Sequence, residues 1–266
     1  MDALYFEKKY PQILASGDFR ENGFLLVESR VHGLFACFYC VLYGLYIAEQ
    51  EKLKPIVYLG ADHLYYEAFY GENCFKYFFD QKVNFEIDLL LLPKIIVLNP
   101  AIFLSWCRIS TLEKYVANVL IKKYFILNPL ISNEINEIFE KRDRDKRTMG
   151  VHYRGRDKVS EVSILDFNEY EKKIDFLLNK NVISQFFFCT DELKLKEQMK
   201  IKYGKMVVCY DLQCVYSDLD LDVGLHFKNN SPYLAGKDAI IECYLLSKCD
   251  LLMSSHHSSM SIFATF

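Results

Sequence analysis

The apolar positions fall into short runs and longer, helically spaced stretches. Gly23 to Glu28 is a short apolar run that predicts a strand, and Ser29-Arg30-Val31-His32-Gly33 predicts a loop. The apolar stretch Leu34 to Gln50 predicts a buried helix and Pro55-Ile56-Val57-Tyr58-Leu59 a second buried strand, which together make one βαβ unit. Pro93 to Leu98 predicts a further strand, and Ser110 to Leu127 and Ser132 to Arg147 carry helical spacing. The second of these helices ends in Glu140-Lys141-Arg142-Asp143-Arg144-Asp145-Lys146-Arg147, a charge run that marks a domain boundary.

Beyond that run the pattern restarts. Strand Thr148 to Tyr153, helix Asp166 to Asn179, strand Val182 to Cys189, helix Glu192 to Tyr203 and strand Lys205 to Cys209 follow in order. Helix Lys237 to Lys248 then leads into strand Asp250 to Ser254 and a final helix, Met260 to Phe266. Strands alternating with helices imply an α/β fold with parallel sheets and right-handed crossovers. The expected organisation is two Rossmann-like domains, 1–147 and 148–266, facing a cleft, and such clefts are preferred ligand sites.

Composition narrows the class. The chain has 266 residues, 52% of them hydrophobic, enough for substantial cores. A net charge of −3 gives no global field for nucleic acid or an anionic membrane, so a nucleic-acid partner is not expected and membrane association is at most peripheral. Nine cysteines without regular spacing, and no secretory leader pattern, point to reduced thiols and a cytoplasmic location. Cys37 and Cys40 form a CxxC inside an apolar helix, where cysteine acts as a small core hydrophobe. The same stretch is interrupted by Tyr, Gly and Cys and is too short to predict a membrane span.

The chemistry gathers in the second half, where four polar segments follow predicted strands and therefore share one sheet edge. His152, Arg154, Arg156, Asp157 and Lys158 follow the first strand, and guanidinium groups there suit bidentate binding of a diphosphate. Thr190-Asp191-Glu192 follows the second, where Thr and Asp also suit a helix cap. Asp211 follows the third, placed either to accept hydrogen bonds from a base or sugar or to form a turn. Ser254-Ser255-His256-His257-Ser258-Ser259 follows the last and leads into a helix whose N-terminus favours an anion. Adjacent His256 and His257 do not converge on one metal and have no third ligand at zinc spacing, so no metal site is expected.

Three motifs in this order and spacing resemble the fucosyltransferase superfamily that includes nodulation fucosyltransferases, α1,6-fucosyltransferases and protein O-fucosyltransferases. They are Gly150-Val151-His152-Tyr153-Arg154-Gly155-Arg156-Asp157-Lys158-Val159, Phe188-Cys189-Thr190-Asp191-Glu192, and Asp238-Ala239-Ile240-Ile241-Glu242-Cys243-Tyr244-Leu245-Leu246-Ser247-Lys248-Cys249-Asp250 running into Ser258-Ser259. The resemblance covers roughly 148–263 and implies a GT-B fold with an inverting, metal-independent transfer that needs no cofactor beyond its donor substrate, a nucleotide sugar such as GDP-fucose. It implies that Arg154 neutralises the β-phosphate of the leaving nucleotide, that His152 contacts nucleotide or sugar, and that Asp157 holds Arg154 or its loop. It also implies that Asp211 meets guanine beside Thr190 and Asp191, and that Ser258 and Ser259 complete the diphosphate cradle with Lys158. Two departures stand out: Gly155 separates Arg154 from Arg156 where relatives carry adjacent arginines, and Glu161 lies close to the family's base position without matching its register.

The acceptor, a glycan or glycolipid, falls to residues 1–147 on this reading. His32 and Gly33 are candidates to approach donor or acceptor, and Tyr65, Tyr66, Phe69 and Tyr70 are of a type that stacks on sugar rings, although 21 Phe and 19 Tyr residues make the core the commoner place for such side chains. Fold does not settle donor choice. A UDP-pentose or hexose donor, or a non-catalytic sugar-nucleotide or glycan-binding protein, remain the alternatives.

Overall fold

A computed structural model of the chain describes residues 3–10, 13–17, 23–28, 33–81, 94–97, 111–140, 142–143, 145–155, 165–215, 229–255 and 257–266. Two units divide it, Met1–Asn128 with Phe266, and Pro129–Thr265.

The first unit opens with α1 (Ala3–Lys9) and β1 (Ile13–Ser16), which the apolar pattern does not predict. The expected βαβ unit follows as β2 (Phe24–Glu28), α2 (Leu34–Glu51) and β3 (Lys54–Tyr58). Next come α3 (Phe75–Phe78), β4 (Phe79–Asp80), β5 (Lys94–Val97), α4 (Thr111–Tyr124) and β6 (Ile126–Leu127). The main sheet has the order β1-β5-β2-β3, with β3 and β5 parallel to β2 and β1 antiparallel to β5. The predicted helix Ser110 to Leu127 stops at Tyr124 because Ile126 and Leu127 pair with Asp80 and Phe79 in a small antiparallel ribbon. α2 is buried along its length, with Cys37 and Cys40 as free thiols in the core. No helix among the described residues is long and apolar enough to cross a membrane.

β3 is an edge strand, and side chains cover its open edge. Gln81 accepts the Val57 N–H at 2.6 Å and donates to the Val57 carbonyl at 3.2 Å. Asn73 accepts the Leu59 N–H at 3.0 Å and donates to the same Val57 carbonyl at 2.7 Å, while Pro55 has no N–H to expose. An edge without free donors does not invite pairing with another chain.

The second unit contains α5 (Pro129–Glu140), β7 (Thr148–Tyr153), α6 (Phe167–Asn179), β8 (Gln185–Thr190), α7 (Leu193–Tyr203), β9 (Val207–Val208), α8 (Pro232–Ser247), β10 (Leu251–Ser254) and α9 (Ser259–Phe263). Its sheet is parallel throughout, ordered β10-β7-β8-β9. Every residue of β7 and β8 is buried, as central parallel strands covered on both faces should be. The charge run points to a boundary at 147/148, yet the division falls at Asn128/Pro129. α5 belongs with the second half because Ile131 and Ile135 are buried and Glu134 reaches Lys237 Nζ at 2.6 Å and the Tyr210 hydroxyl at 3.2 Å. α5 ends at Glu140, short of the predicted Arg147, and Asp143 turns the chain instead: its carbonyl accepts the Lys146 N–H and its side chain the Asp145 N–H.

Candidate functional site

The carboxyl ends of β7, β8, β9 and β10 bring the predicted polar segments to one edge of the second sheet, in register: His152 lies opposite Cys189 and Ser254, and Tyr153 opposite Thr190. Arg154 follows β7 directly. Its guanidinium Nε sits 3.9 Å from Asp191 Oδ2, with both side chains largely shielded from solvent. Asp191 Oδ1 accepts the Gly155 N–H at 3.1 Å, so this carboxylate ties the first residues beyond β7 to the loop after β8. Thr190 turns that loop locally, its hydroxyl accepting the Glu192 N–H at 3.1 Å. The side chain of Asp191 therefore faces the arginine segment rather than capping α7.

Gly155 sits at a close approach. A Cβ there would collide with the Glu192 carboxylate and lie 2.9 Å from the Tyr153 ring, so Glu192 occupies the space that an arginine side chain would enter. The departure from adjacent arginines thus has a local steric counterpart. Arg156, Asp157, Lys158 and Glu161 lie outside the described residues, as do His32 and His256. Gly33 caps α2 without a side-chain bond.

His152 points into the fold. It is 4% exposed, and its Nδ1 shares a 2.7 Å hydrogen bond with Ser261 Oγ, tying β7 to α9. Burial, with the Arg154 charge adding to it, pulls its pKa down to about 3, so the imidazole is neutral at ordinary pH. Ser258 caps α9 with its backbone and is fully buried, and its Oγ has no hydrogen-bond partner among the described residues. Such a hydroxyl is costly unless something satisfies it. Ser259 is the first residue of α9.

Asp211 is the most exposed of the candidates among the described residues, with 89% of its side chain accessible and Lys200 Nζ at 3.1 Å. The loop that carries it is held from beneath. Asp238 accepts the Tyr210 hydroxyl at 3.0 Å and the N–H groups of Gln213 and Cys214 at 3.1 and 2.9 Å. Burial raises the Asp238 pKa, opposed by those three donors. One turn along α8, Glu242 accepts Lys196 Nζ and the Cys189 thiol, each at 3.0 Å, and Lys196 also donates to the Tyr210 carbonyl at 3.3 Å. Burial lowers the Lys196 pKa, but Glu242 and then Cys189 raise it further, so the net shift is upward. Asp238 and Glu242 belong to the third motif, and local pattern alone assigns them no role. Two carboxylates at i and i+4 on a largely apolar helix are the available signal.

Elsewhere, a cavity of about 560 Å³ in the first unit opens beside the amino end of β3 between α2 and α4, away from the strand carboxyl ends. Among the described residues no group of three His, Cys, Asp or Glu side chains is arranged to hold a metal ion.

These features define a mixed α/β protein built on largely parallel sheets, whose second unit gathers Arg154, Asp191 and a buried serine at the carboxyl edge of its sheet. Solved structures of the same fold give it a particular likeness. NodZ α1,6-fucosyltransferase, in a crystal soaked with GDP-fucose, superposes with a TM-score of 0.57 at 13% identity over 91% of each chain. The same enzyme co-crystallised with GDP gives 0.57 at 15% identity, again over 91% of each chain. Fucosyltransferase NodZ from Bradyrhizobium gives 0.57 at 14% identity over 91% of this chain and 92% of that one. The fold is fucosyltransferase-like. No protein-family model and no curated protein sequence matches the chain.

Proposed function

We propose that this chain is an inverting, metal-independent GT-B glycosyltransferase that transfers a sugar, fucose from GDP-fucose, to a glycan or glycolipid acceptor in the cytoplasm. The observation that carries the reading is the fucosyltransferase-like fold over 91% of the chain, with Arg154 standing beside Asp191 at the carboxyl edge of the second sheet. The NodZ structures with GDP-fucose and GDP support a nucleotide-sugar donor. In this reading each unit is a Rossmann-like domain.

In the transfer, an acceptor hydroxyl attacks the anomeric carbon while the bond from that carbon to the β-phosphate oxygen breaks, with inversion. The electron pair leaves with the nucleoside diphosphate, where Arg154 meets the charge as it develops. Asp191 orients Arg154 and the Gly155 N–H, and Asp157 steadies the same loop. Arg156, Lys158, Ser259 and the buried Ser258 hydroxyl complete the diphosphate cradle. His152 is buried against Ser261 and positions the carboxyl end of β7 rather than meeting the nucleotide or sugar as the resemblance implies, Thr190 lines the edge, and Asp211 accepts from the base. The hydroxyl proton passes to a carboxylate, for which Glu161 is the candidate.

The test is a thermal-shift panel of GDP, UDP, CDP and ADP and their sugar conjugates, with and without EDTA, followed by turnover of Arg154→Ala. Selective, EDTA-insensitive stabilisation by GDP is expected, with about 10²- to 10³-fold lower turnover in a folded Arg154→Ala protein. Selective stabilisation by UDP replaces the donor. Unchanged turnover in Arg154→Ala refutes the mechanism.

A further inference from the structure

The loop between β3 and α3 in the first unit is closed, anchored and aromatic. It leaves the carboxyl end of β3 at Leu59 and returns to the same residue, where Cys74 N–H donates to the Leu59 carbonyl at 2.8 Å and Asn73 accepts the Leu59 N–H at 3.0 Å. His63, Tyr65 and Asn73 are buried beneath it. Its tip is a 3-10 turn, Ala68–Tyr70, ended by Gly71 at φ 114°, a conformation that favours glycine. The Tyr77 hydroxyl is close to the carbonyls on both sides of that turn, 2.9 Å from Glu67 and 2.6 Å from Gly71. A surface loop with paired ends and its own buried side chains is a common carrier of function.

What this fixed turn presents is apolar. Phe69 is 88% and Tyr70 43% exposed, their rings edge to face at 5.2 Å. Tyr65 takes the core position expected of such residues, so the turn divides the aromatic group into one buried anchor and an exposed pair. The loop's own polar side chains are acidic and hydroxylic. Between 59 and 74 the chain carries Asp62, Glu67 and Glu72 and no Lys or Arg. Glu28 and Tyr58 pair across the ends of β2 and β3, and Glu72, Tyr66 and Glu28 all act electrostatically on the Tyr58 hydroxyl. Carboxylates disfavour a phosphate or a nucleotide here, and two rings on a turn do not make a groove for an acyl chain. A neutral polyhydroxylated ligand fits both features: its C–H face stacks on an aromatic ring and its hydroxyls donate to carboxylates.

We infer that the Leu59–Cys74 loop is a saccharide subsite, in which the face of Phe69 stacks on a pyranose ring of a neutral glycan, Tyr70 meets the edge of that ring, and carboxylates carried by the loop accept hydrogen bonds from its hydroxyls. Calling that glycan the acceptor rests on the glycosyltransferase reading; the subsite itself does not. The experiment probes the full chain, Phe69→Ala, Tyr70→Ala and Phe69→Trp on a printed array of neutral oligosaccharides, and by calorimetry with cellotetraose and maltotetraose, alongside thermal stabilisation by GDP. Phe69→Ala is expected to weaken glycan binding at least about tenfold, Phe69→Trp to retain it, and both to keep the wild-type response to GDP. Phe69 is exposed, so its loss leaves the fold intact. The subsite is overturned if wild-type protein binds no neutral glycan while GDP still stabilises it, if both alanine variants bind glycans as the wild type does, or if Phe69→Ala abolishes self-association without changing glycan binding. Phe69-dependent glycan binding with no response to any nucleotide supports the subsite and overturns the glycosyltransferase reading instead.

Discussion

Replacing His152 with Asn tests the electrostatics of the second unit at its centre. His152 is buried between β7 and α9, bonded to Ser261 at 2.7 Å, with its pKa lowered from 6.5 to about 3. The unfolded chain takes up a proton near pH 6.5 that the folded chain refuses until about pH 3. Stability from this group is therefore fully present above 6.5 and falls as the pH drops towards 3, by about 1.4 kcal/mol per unit. Between pH 7.5 and 5.0 the loss from His152 amounts to about 2 kcal/mol. An Asn side chain keeps a polar partner for Ser261 and does not titrate. His152→Asn is expected to cost about 1 to 2 kcal/mol at pH 7.5 through altered packing and hydrogen bonding. Its further loss on going to pH 5.0 should be smaller than the wild type's by about 2 kcal/mol. Urea unfolding followed by circular dichroism at the two pH values gives both numbers, and comparison with the wild type cancels the shared titrations. Equal losses in the two proteins would show that His152 is not held neutral by burial, and the reasoning would fail. His63, in the first unit, has its pKa lowered to about 4 by burial, so His63→Asn should give a similar difference.

Two further expectations concern shared space and shared charge. Lys196→Met should destabilise by about 3 to 5 kcal/mol because it leaves Glu242 buried without its cation, whereas Lys196→Met with Glu242→Leu should recover most of that in the same urea assay; equal cost in single and double variants would rule out the pair as the cause. Gly155→Ala should cost about 1 to 3 kcal/mol by forcing the Glu192 carboxylate aside and crowding Tyr153, and less in a Glu192→Ala background; an identical cost in both backgrounds would show that residues 155 and 192 do not compete for one volume.

The parts of the fold that were legible from the residues are those in which apolar period and chain punctuation agree. β7 runs over Thr148–Tyr153 as expected, because six residues buried on both faces read as one apolar run between a charge cluster and a basic motif. Asp166 precedes α6 and caps it by accepting the Asn168 N–H at 2.8 Å. Elements decided by long-range pairing were not legible. β1 pairs antiparallel with β5, and the two-residue strands β4 and β6 exist only through each other. The start of α8 was missed although Ser231-Pro232 is a strong helix opening: Ser231 Oγ accepts the Leu234 N–H at 3.2 Å and Pro232 takes the first turn, five residues before the expected Lys237. β9 is shorter than Lys205 to Cys209 because Gly204 and a 3-10 turn occupy its beginning. At the site, spacing assembled Arg154, Thr190, Asp191 and Ser258 at one edge, but the bond from His152 to Ser261, the approach of Glu192 to Gly155 and the Lys196–Glu242 pair follow from tertiary contacts that no local pattern carries.

The same limit applies to the two acids of α8, whose i and i+4 spacing marks them in the sequence but says nothing of the partners they find. A helix buried on most sides has little reason on grounds of stability to retain Asp238 and Glu242, because a buried ion pair seldom outperforms apolar side chains of equal volume. Their contacts suggest another reason. Asp238 gathers Tyr210, Gln213 and Cys214, and Glu242 joins Cys189 at the end of β8 to Lys196, which in turn holds the Tyr210 carbonyl. One helix thereby sets the β8 end and the loop carrying Asp211 relative to each other, through hydrogen bonds whose directions admit few alternatives. Apolar packing would hold the two segments together without specifying that relation. If the edge binds a nucleotide, the network orders its loops before the ligand arrives, and the free energy that Asp238 and Glu242 withhold from stability returns as preorganisation for binding.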